Sequence, residues 1–303
     1  MWWRRSDGVL VRNVPAARRV MPYLMRGRNE SAVYFETDCD LQKTDAFVRA
    51  WNEANPRRQV DVFHLAVWAL GDALRRNPSA HRFVKGGRLY DRKGVWFSYV
   101  VKTKLETGAP FVAVKRRFDL DETFGDMVEG MQAEQAKVLS GELSTVDREV
   151  GLLMIFPGFV RRFLMACVRG FDNLGMLPRS YIEKDPMYTS AFFANMASFG
   201  MPAVYHHLYE YGTAVIFASV GRPTLTSDSP RSGPDRRREV QLKFTYDERS
   251  EDGLVAWFTI RRLKQVLEDP EGFGVALEYP ADNPVERSGS STAPVAATVD
   301  LSS

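Results

Sequence analysis

The stretch "VQLKFTYDERSEDGLVAWFTIRRLKQVLEDPEGF", residues 240–273, decides how the chain reads. Val240, Leu242, Phe244 and Tyr246 alternate with polar neighbours, the period-two pattern of a half-buried strand. From Gly253, "GLVAWFTIRRLKQVLED" switches to the spacing of an amphipathic helix. The junction, "YDERSEDG", is a turn dense in charge, with Asp247, Glu248, Arg249, Glu251 and Asp252 in six positions.

Upstream, "GTAVIFASVG" predicts a strong strand over Thr213–Val220, and "AFFANMASFG" a strand over Ala191–Ala194 with a glycine turn at Gly200. "VDVFHLAVWALGDALRRNP" is the strongest helix in the chain: Val62, Leu65, Ala66, Trp68, Ala69 and Leu74 share a wide apolar face, and Asn77-Pro78 stops it. "SAVYFETDCDL" alternates as a strand, with Val33, Phe35 and Thr37 on one side and Ala32, Tyr34 and Glu36 on the other. "QKTDAFVRAWNEAN" and "DETFGDMVEGMQAEQAKVLSGEL" read as helices, and "GGRLYDRKGVWFSYVVKTKL" and "PFVAVKRRFD" as strands. Residues 150–183 read as two amphipathic helices broken near Pro157 and Gly158, apolar yet carrying Arg161, Arg162 and Arg169. Such a segment either packs against a core or a neighbouring subunit, or lies on a membrane surface; burial is the expectation here. The order of elements is mixed rather than strictly alternating, which favours an α+β two-layer sandwich with a mixed sheet.

The 303 residues are 45% hydrophobic and 12% aromatic, enough for a sizeable core. A net charge of +3 from 41 basic and 38 acidic residues does not argue for nucleic-acid binding. The basic residues crowd the first thirty positions: Arg4, Arg5, Arg12, Arg18, Arg19, Arg26 and Arg28 are opposed mainly by Asp7. This reads as a solvated basic arm with one or two structural ion pairs, and Trp2-Trp3 as a docking anchor. Cys39 and Cys167 suggest neither a disulfide framework nor a metal cluster. No apolar run reaches membrane-spanning length and the start lacks a secretory signal, so a cytoplasmic location is expected. No G-x-G-x-x-G or Walker loop occurs. The division expected is a basic arm over 1–30, one domain over 31–281 with a mobile loop near 222–238, and a disordered tail over 282–303.

From about Val33 to Phe273 the chain resembles the catalytic domain of dihydrolipoyl acyltransferases, the core component of 2-oxo acid dehydrogenase complexes, and their relative chloramphenicol acetyltransferase. "FHLAVWALGDALRRNPSAHRFVKGGRLYDRKGVWFSYVV" is similar to that family's long helix, proline stop and following strands. "ANMASFG" resembles its S-N-L-G-S-F-G segment, "GTAVIFASVG" its buried strand, and "YDERSEDG" its D-H-R-x-x-D-G turn before the last helix. The resemblance implies a chloramphenicol acetyltransferase-like sandwich assembled as homotrimers or assemblies of trimers. It implies channels between subunits, with coenzyme A or acyl-CoA as the acyl donor. A histidine of the turn would act as base, and a hydroxyl of the neighbouring chain would stabilise the oxyanion.

Carried across residue by residue, the base position falls on Glu248 and the hydroxyl position on Ala194. Asp247, Arg249, Asp252 and Gly253 match the turn, and Asn195, Ser198, Phe199 and Gly200 keep the other segment. Asp252 is expected to be a structural ion-pair partner, with Arg19 as the loose candidate opposite it. The scaffold is kept while both chemical groups are replaced, so the resemblance implies weakened acyl transfer or a scaffold that binds acyl-CoA, a lipid or a partner segment. No metal is implied, and the chain shows no lipoyl-bearing domain.

"YHHLYEYG" offers a substitute base in His206 and His207, with Glu248 orienting it. The plainer reading is that one histidine caps a loop and the other packs on Tyr205 or Tyr209. His64 is expected in a core or interface and His81 at the surface. Thr189 and Ser190 are close enough in sequence to Ala194 to offer a stray hydroxyl.

Overall fold

The strand read from Val240, Leu242, Phe244 and Tyr246 lies inside the main sheet, with these four side chains buried in the main core. The protein was described as a computed structural model covering residues 5–102, 111–119, 121–140, 151–225 and 237–277. The expected tail (282–303), Trp2, Trp3 and most of the expected mobile loop lie outside these residues.

Ten strands occur among the described residues: β1 (Gly8–Leu10), β2 (Ala32–Asp40), β3 (Phe83–Lys85), β4 (Arg88–Arg92), β5 (Val95–Lys102), β6 (Phe111–Phe118), β7 (Ala191–Asn195), β8 (Ile216–Val220), β9 (Thr224–Leu225) and β10 (Arg238–Asp247). The main sheet has the order β2-β10-β8-β7-β5-β6, with β9 paired to β10. β7 runs parallel to β5 and β8, and the other neighbours are antiparallel, so the sheet is mixed. A second sheet, β1-β4-β3, gathers the small strands. The helices are α1 (Ala16–Leu24), α2 (Gln42–Ala54), α3 (Val62–Arg76), α4 (Phe124–Leu139), α5 (Gly158–Asn173), α6 (Arg179–Lys184) and α7 (Gly253–Glu268).

One face of the main sheet carries α2, α3, α4 and α7. Leu242, Phe244 and Tyr246 of β10 and Ile216, Ala218 and Val220 of β8 point into this core, joined by Leu65, Leu70 and Leu74 of α3 and Leu263 and Val266 of α7. On the opposite face Phe192, Phe217 and Leu208 form a smaller cluster, against which Ala194 packs. Period-two alternation thus divides each strand between two cores. The α+β sandwich expected from the sequence is the fold observed.

Three local readings need correction. His64 is not a core residue: α3 opens on Asp61, whose Oδ1 accepts from the N–H groups of Phe63 (3.0 Å) and His64 (3.2 Å), while the Asp61 N–H reaches His64 Nδ1 at 3.3 Å. That is a capping box with histidine in the usual glutamate place. His81 is not at the surface but 3% exposed, because the short 3₁₀ turn Pro78–His81 tucks it under the sheet. The strand read over Thr213–Val220 begins at Ile216. Thr213 and Ala214 extend toward Met187 instead, both donating their N–H groups to its carbonyl.

The apolar run at 150–183 is helical as expected, and its burial falls short of a packed core within the protomer. Residues 151–154 are helical, and α5 follows after Pro157. Within the protomer most of the run's large apolar residues are not buried: Ile155 and Phe159 are each 75% exposed and Phe163 67%, while Ile182 is enclosed. Within α5 only Asp172, near its end, is fully enclosed. Residues 5–30, by contrast, are built into the fold: Gly8–Leu10 pairs with β4, and Arg5 and Arg28 are buried.

Candidate active site

The turn after β10 is fastened from three sides. Asp247 is fully buried, and its Oδ1 accepts from Ser31 Oγ (2.8 Å), the Arg249 N–H (3.2 Å) and Arg249 Nε (2.9 Å). Its Oδ2 accepts from Arg249 Nη2 at 2.8 Å, with Arg28 Nε 3.8 Å away. Arg28 carries the network onward, donating to the carbonyls of Tyr209 (2.9 Å), Glu210 (3.1 Å) and Gly212 (2.7 Å). Burial pulls the Arg28 pKa down, and the charge of Asp247 opposes that shift. The site holds together because each buried charge has hydrogen-bonded partners.

Asp252 caps α7: its Oδ1 accepts from the Val255 N–H at 3.0 Å. Its Oδ2 lies 3.8 Å from Arg18 Nη2, which is also 3.5 Å from Glu251 Oε1. The partner of Asp252 is therefore Arg18, one residue before the expected Arg19, which is exposed. A helix turns a neighbouring residue about 100° away, so an error of one position changes which arginine faces the turn. Arg18, Arg82, Glu251 and Asp252 line a cavity of ≈ 320 Å³ between α1 and the turn. Gly253 opens α7 beside the Phe35 ring.

Glu248 stands at the apex of this frame. Its N–H donates to the Ser31 carbonyl (3.0 Å) and its carbonyl accepts from Arg18 Nη1 (2.9 Å), so its backbone is fixed at both ends. The carboxylate is half-buried and has no hydrogen-bond or ion-pair partner among the described residues.

The second segment lies elsewhere. Ala194 pairs with Ser219 of β8, and Ser219 with Lys243 of β10. Glu248 is five residues further along the chain, just past the end of β10, about 17 Å at the rise of an extended strand. In one protomer the two positions therefore sit toward opposite ends of the sheet and cannot act on the same atom. Asn195 Oδ1 accepts from the Ser198 N–H (3.2 Å) and Ser198 Oγ donates to the Asn195 carbonyl (2.7 Å), which closes the turn leading to Gly200. Gly200 adopts φ +67°, as a left-handed helix end requires.

The histidine pair is packed rather than poised. The His206 ring stacks on Phe217 at 4.0 Å and on His207 at 4.3 Å, and its Nδ1 is 2.8 Å from the His207 carbonyl. Burial lowers the His206 pKa. The Thr245 hydroxyl donates to the His206 carbonyl at 2.6 Å. Phe217 pairs with Thr245, three residues before Glu248, so His206 lies about 10 Å back along the strand. Among the described residues no hydrogen bond joins either histidine to Glu248, and the substitute dyad is not assembled within the protomer. The stray hydroxyls are also engaged: Thr189 Oγ1 donates to the Trp96 carbonyl (2.7 Å), and Ser190 Oγ accepts from the Trp96 N–H (3.1 Å) and contacts His81 Nδ1 (3.1 Å).

Solved structures share this architecture. The probable dihydrolipoamide acetyltransferase of Listeria monocytogenes 4b F2365 matches with a TM-score of 0.58 at 13% identity, over 89% of this chain and 99% of that one. The cubic core of the pyruvate dehydrogenase multienzyme complex matches with a TM-score of 0.57 at 15% identity, over 86% and 93%. The Azotobacter vinelandii dihydrolipoamide acetyltransferase gives the same figures; the role of a serine, a histidine and an asparagine in its catalytic mechanism has been investigated.

The fold is that of a dihydrolipoamide acetyltransferase catalytic core. At these identities the likeness is one of fold. A scan against protein-family models finds no match, and neither does a search of the curated proteins. Within this acetyltransferase fold, Arg18 and Arg28 from the basic segment and Ser31 just after it hold the candidate turn, and the only sequence signal for them was the crowding of the arginines. Among the described residues no group of three or more His, Cys, Asp or Glu side chains could hold a metal ion, and no helix is long and apolar enough to cross a membrane.

Proposed function

We propose that the chain forms a homotrimer of the dihydrolipoamide acetyltransferase type, in which Glu248 of one subunit and Ala194 of its neighbour face one cleft. The cleft takes coenzyme A or an acyl-CoA, and acyl transfer through it is strongly weakened. One observation carries this reading: the turn that presents position 248 is braced by Asp247, Arg249, Arg28 and Ser31, while the group presented is a carboxylate with no partner among the described residues. The separation of Ala194 from Glu248 supports a site completed by a second copy.

A positioned general base contributes about 10²–10⁴-fold and an oxyanion donor about 10²–10³-fold. Glutamate is a weak base toward a thiol, and its negative charge opposes a developing thiolate. Alanine offers no donor. Both losses act on the transition state rather than on binding, so ligand affinity is retained while turnover falls.

A second reading, a scaffold that binds without turnover, is favoured by the stacking of His206 on Phe217, which withholds the nearest imidazole from the cleft. Calorimetric titration with coenzyme A and acetyl-CoA tests binding. Acyl transfer to a free thiol is then measured for the parent, Glu248→His and Glu248→His/Ala194→Ser. Binding with slow transfer in the parent and a gain of tenfold or more in the double variant supports weakened catalysis. Binding with no transfer in the parent supports the scaffold, and absence of binding overturns both.

A further inference from the structure

Three strands across the sheet from β10, the β4–β5 turn, the end of β6 and α6 enclose a second cavity, of ≈ 330 Å³. Arg92, Lys93, Lys115, Arg117 and Arg179 line it, against Asp7 and Glu183. Those two carboxylates already have cations. Asp7 accepts from Arg5 Nε (2.8 Å) and Nη2 (3.0 Å), and Glu183 from Arg179 Nε (2.7 Å). Arg117 Nε lies 3.2 Å from Asp119. Arg92, Lys93 and Lys115 have no carboxylate within 4.0 Å among the described residues.

The inner two cations are held against neutral oxygens. Arg92, 8% exposed, donates to the carbonyls of His81 (3.3 Å) and Thr213 (2.6 Å) and to Thr213 Oγ1 (3.1 Å), and its guanidinium lies 4.4 Å from the Phe83 ring. Lys115 Nζ donates to the Ile182 carbonyl (2.6 Å) and sits 4.8 Å from the Trp96 ring. Burial pushes the Lys115 pKa down to about 8, and the charge of Arg92 adds to that. Charges taken out of water without a counter-charge are costly, and a cavity opening onto them gives an anion a place to relieve the cost.

We propose that this cavity binds the phosphoryl group of a small molecule, with Arg92 and Lys115 as the inner cations and Lys93 at the mouth. Asp7, Glu183 and Asp185 offset part of the charge on Arg92 and Lys115 from a distance, but three cations without a carboxylate in contact among the described residues match a multiply charged anion better than a single carboxylate, and a guanidinium fork beside an ammonium suits phosphoryl oxygens. Trp96 supplies an apolar wall for whatever carries the phosphoryl group. The cavity volume lies within the range of small-molecule sites. The site is separate from the turn at Glu248 and does not depend on acyl transfer.

The test is calorimetric titration of the full chain at pH 7 with inorganic phosphate, pyrophosphate and ADP. Saturable binding of at least one probe is expected, weakened tenfold or more in Lys115→Met and several-fold in Lys93→Met, and unchanged in Lys43→Met, which removes a cation bonded to Asp269 elsewhere. Tighter binding of ADP than of pyrophosphate assigns the phosphoryl group to a nucleotide, and the reverse order to a free phosphate. No saturable binding of any probe, or equal affinities in the parent and both cavity variants with their melting temperatures preserved, overturns the proposal.

Discussion

Ala194 and Glu248 lie toward opposite ends of one sheet: Ala194 is in register with Lys243 through Ser219, and Glu248 follows Lys243 by five residues. The relationship is fixed by strand pairing and does not depend on any side-chain rotamer. Within one protomer the two positions therefore cannot meet, and the proposed shared cleft requires a second copy of the chain.

Asp247 is the keystone of the turn. Asp247→Asn leaves Arg28 and Arg249 buried without a counter-charge and is expected to destabilise the protein by about 3–5 kcal/mol, the cost of breaking a buried pair. Urea denaturation checks this. A loss below about 1 kcal/mol would show that the pair is dispensable.

Asp172 ties α5 to the body of the protein. Its Oδ1 accepts from Arg5 Nη1 at 2.7 Å and its Oδ2 from Tyr188 OH at 2.9 Å, with Lys85 Nζ also 2.7 Å from Oδ2. Asp172→Asn is expected to speed amide hydrogen exchange in α5 more than in α3. Equal changes in both helices would mean that α5 is not docked through this carboxylate.

His81 gives a pH signature. Burial, reinforced by Arg92, pushes its pKa down to about 3 from 6.5. Ser190 Oγ accepts the Trp96 N–H and lies 3.1 Å from His81 Nδ1, a contact that either tautomer of a neutral ring can make. A histidine whose folded pKa is depressed contributes fully above pH 6.5, and that contribution is lost as the pH falls toward 3. The expected slope is about 1.4 kcal/mol per pH unit between those limits. His81→Gln should remove one proton's worth of that slope between pH 6 and 4, measured by chemical denaturation. An unchanged slope would contradict the buried neutral imidazole.

Gly212 has φ +79°, and a Cβ there would stand 2.3 Å from the Met187 carbonyl oxygen. Gly212→Ala is expected to cost about 2 kcal/mol or more through left-handed strain and the clash. The Gly212 carbonyl also receives Arg28 Nη2 and Lys85 Nζ, so the loss should show as a lowered melting temperature. A melting temperature within a degree of the parent would refute it.

The sandwich was legible because its strands and helices carry clean periods: Leu242, Phe244 and Tyr246 could face only one core, and α3 announced its apolar side. The order of the short motifs indicated the acetyltransferase fold. What stayed hidden was pairing at a distance. Arg18 rather than Arg19 meets Asp252, His81 is drawn inward by Ser190, and Arg28 braces Asp247 across more than two hundred residues. These contacts depend on which way a helix turns and how a hairpin lies, and no local pattern records either. The apolar face of α5 narrows the other expectation: hydrophobicity predicted burial against a core or a neighbouring subunit, and the protomer's own core leaves Phe159 and Phe163 exposed.

The central claim, that position 248 of one subunit and position 194 of the next face one proposed cleft, is tested most directly with mixed trimers. Glu248→His and Ala194→Ser chains are prepared separately, co-refolded in equal amounts, and assayed for acyl transfer from acetyl-CoA to a free thiol. The expected result is a rate above that of either homotrimer, because some clefts then hold a histidine opposite a serine. A mixture no faster than the mean of its two components, beside an active Glu248→His/Ala194→Ser chain, would contradict the shared cleft.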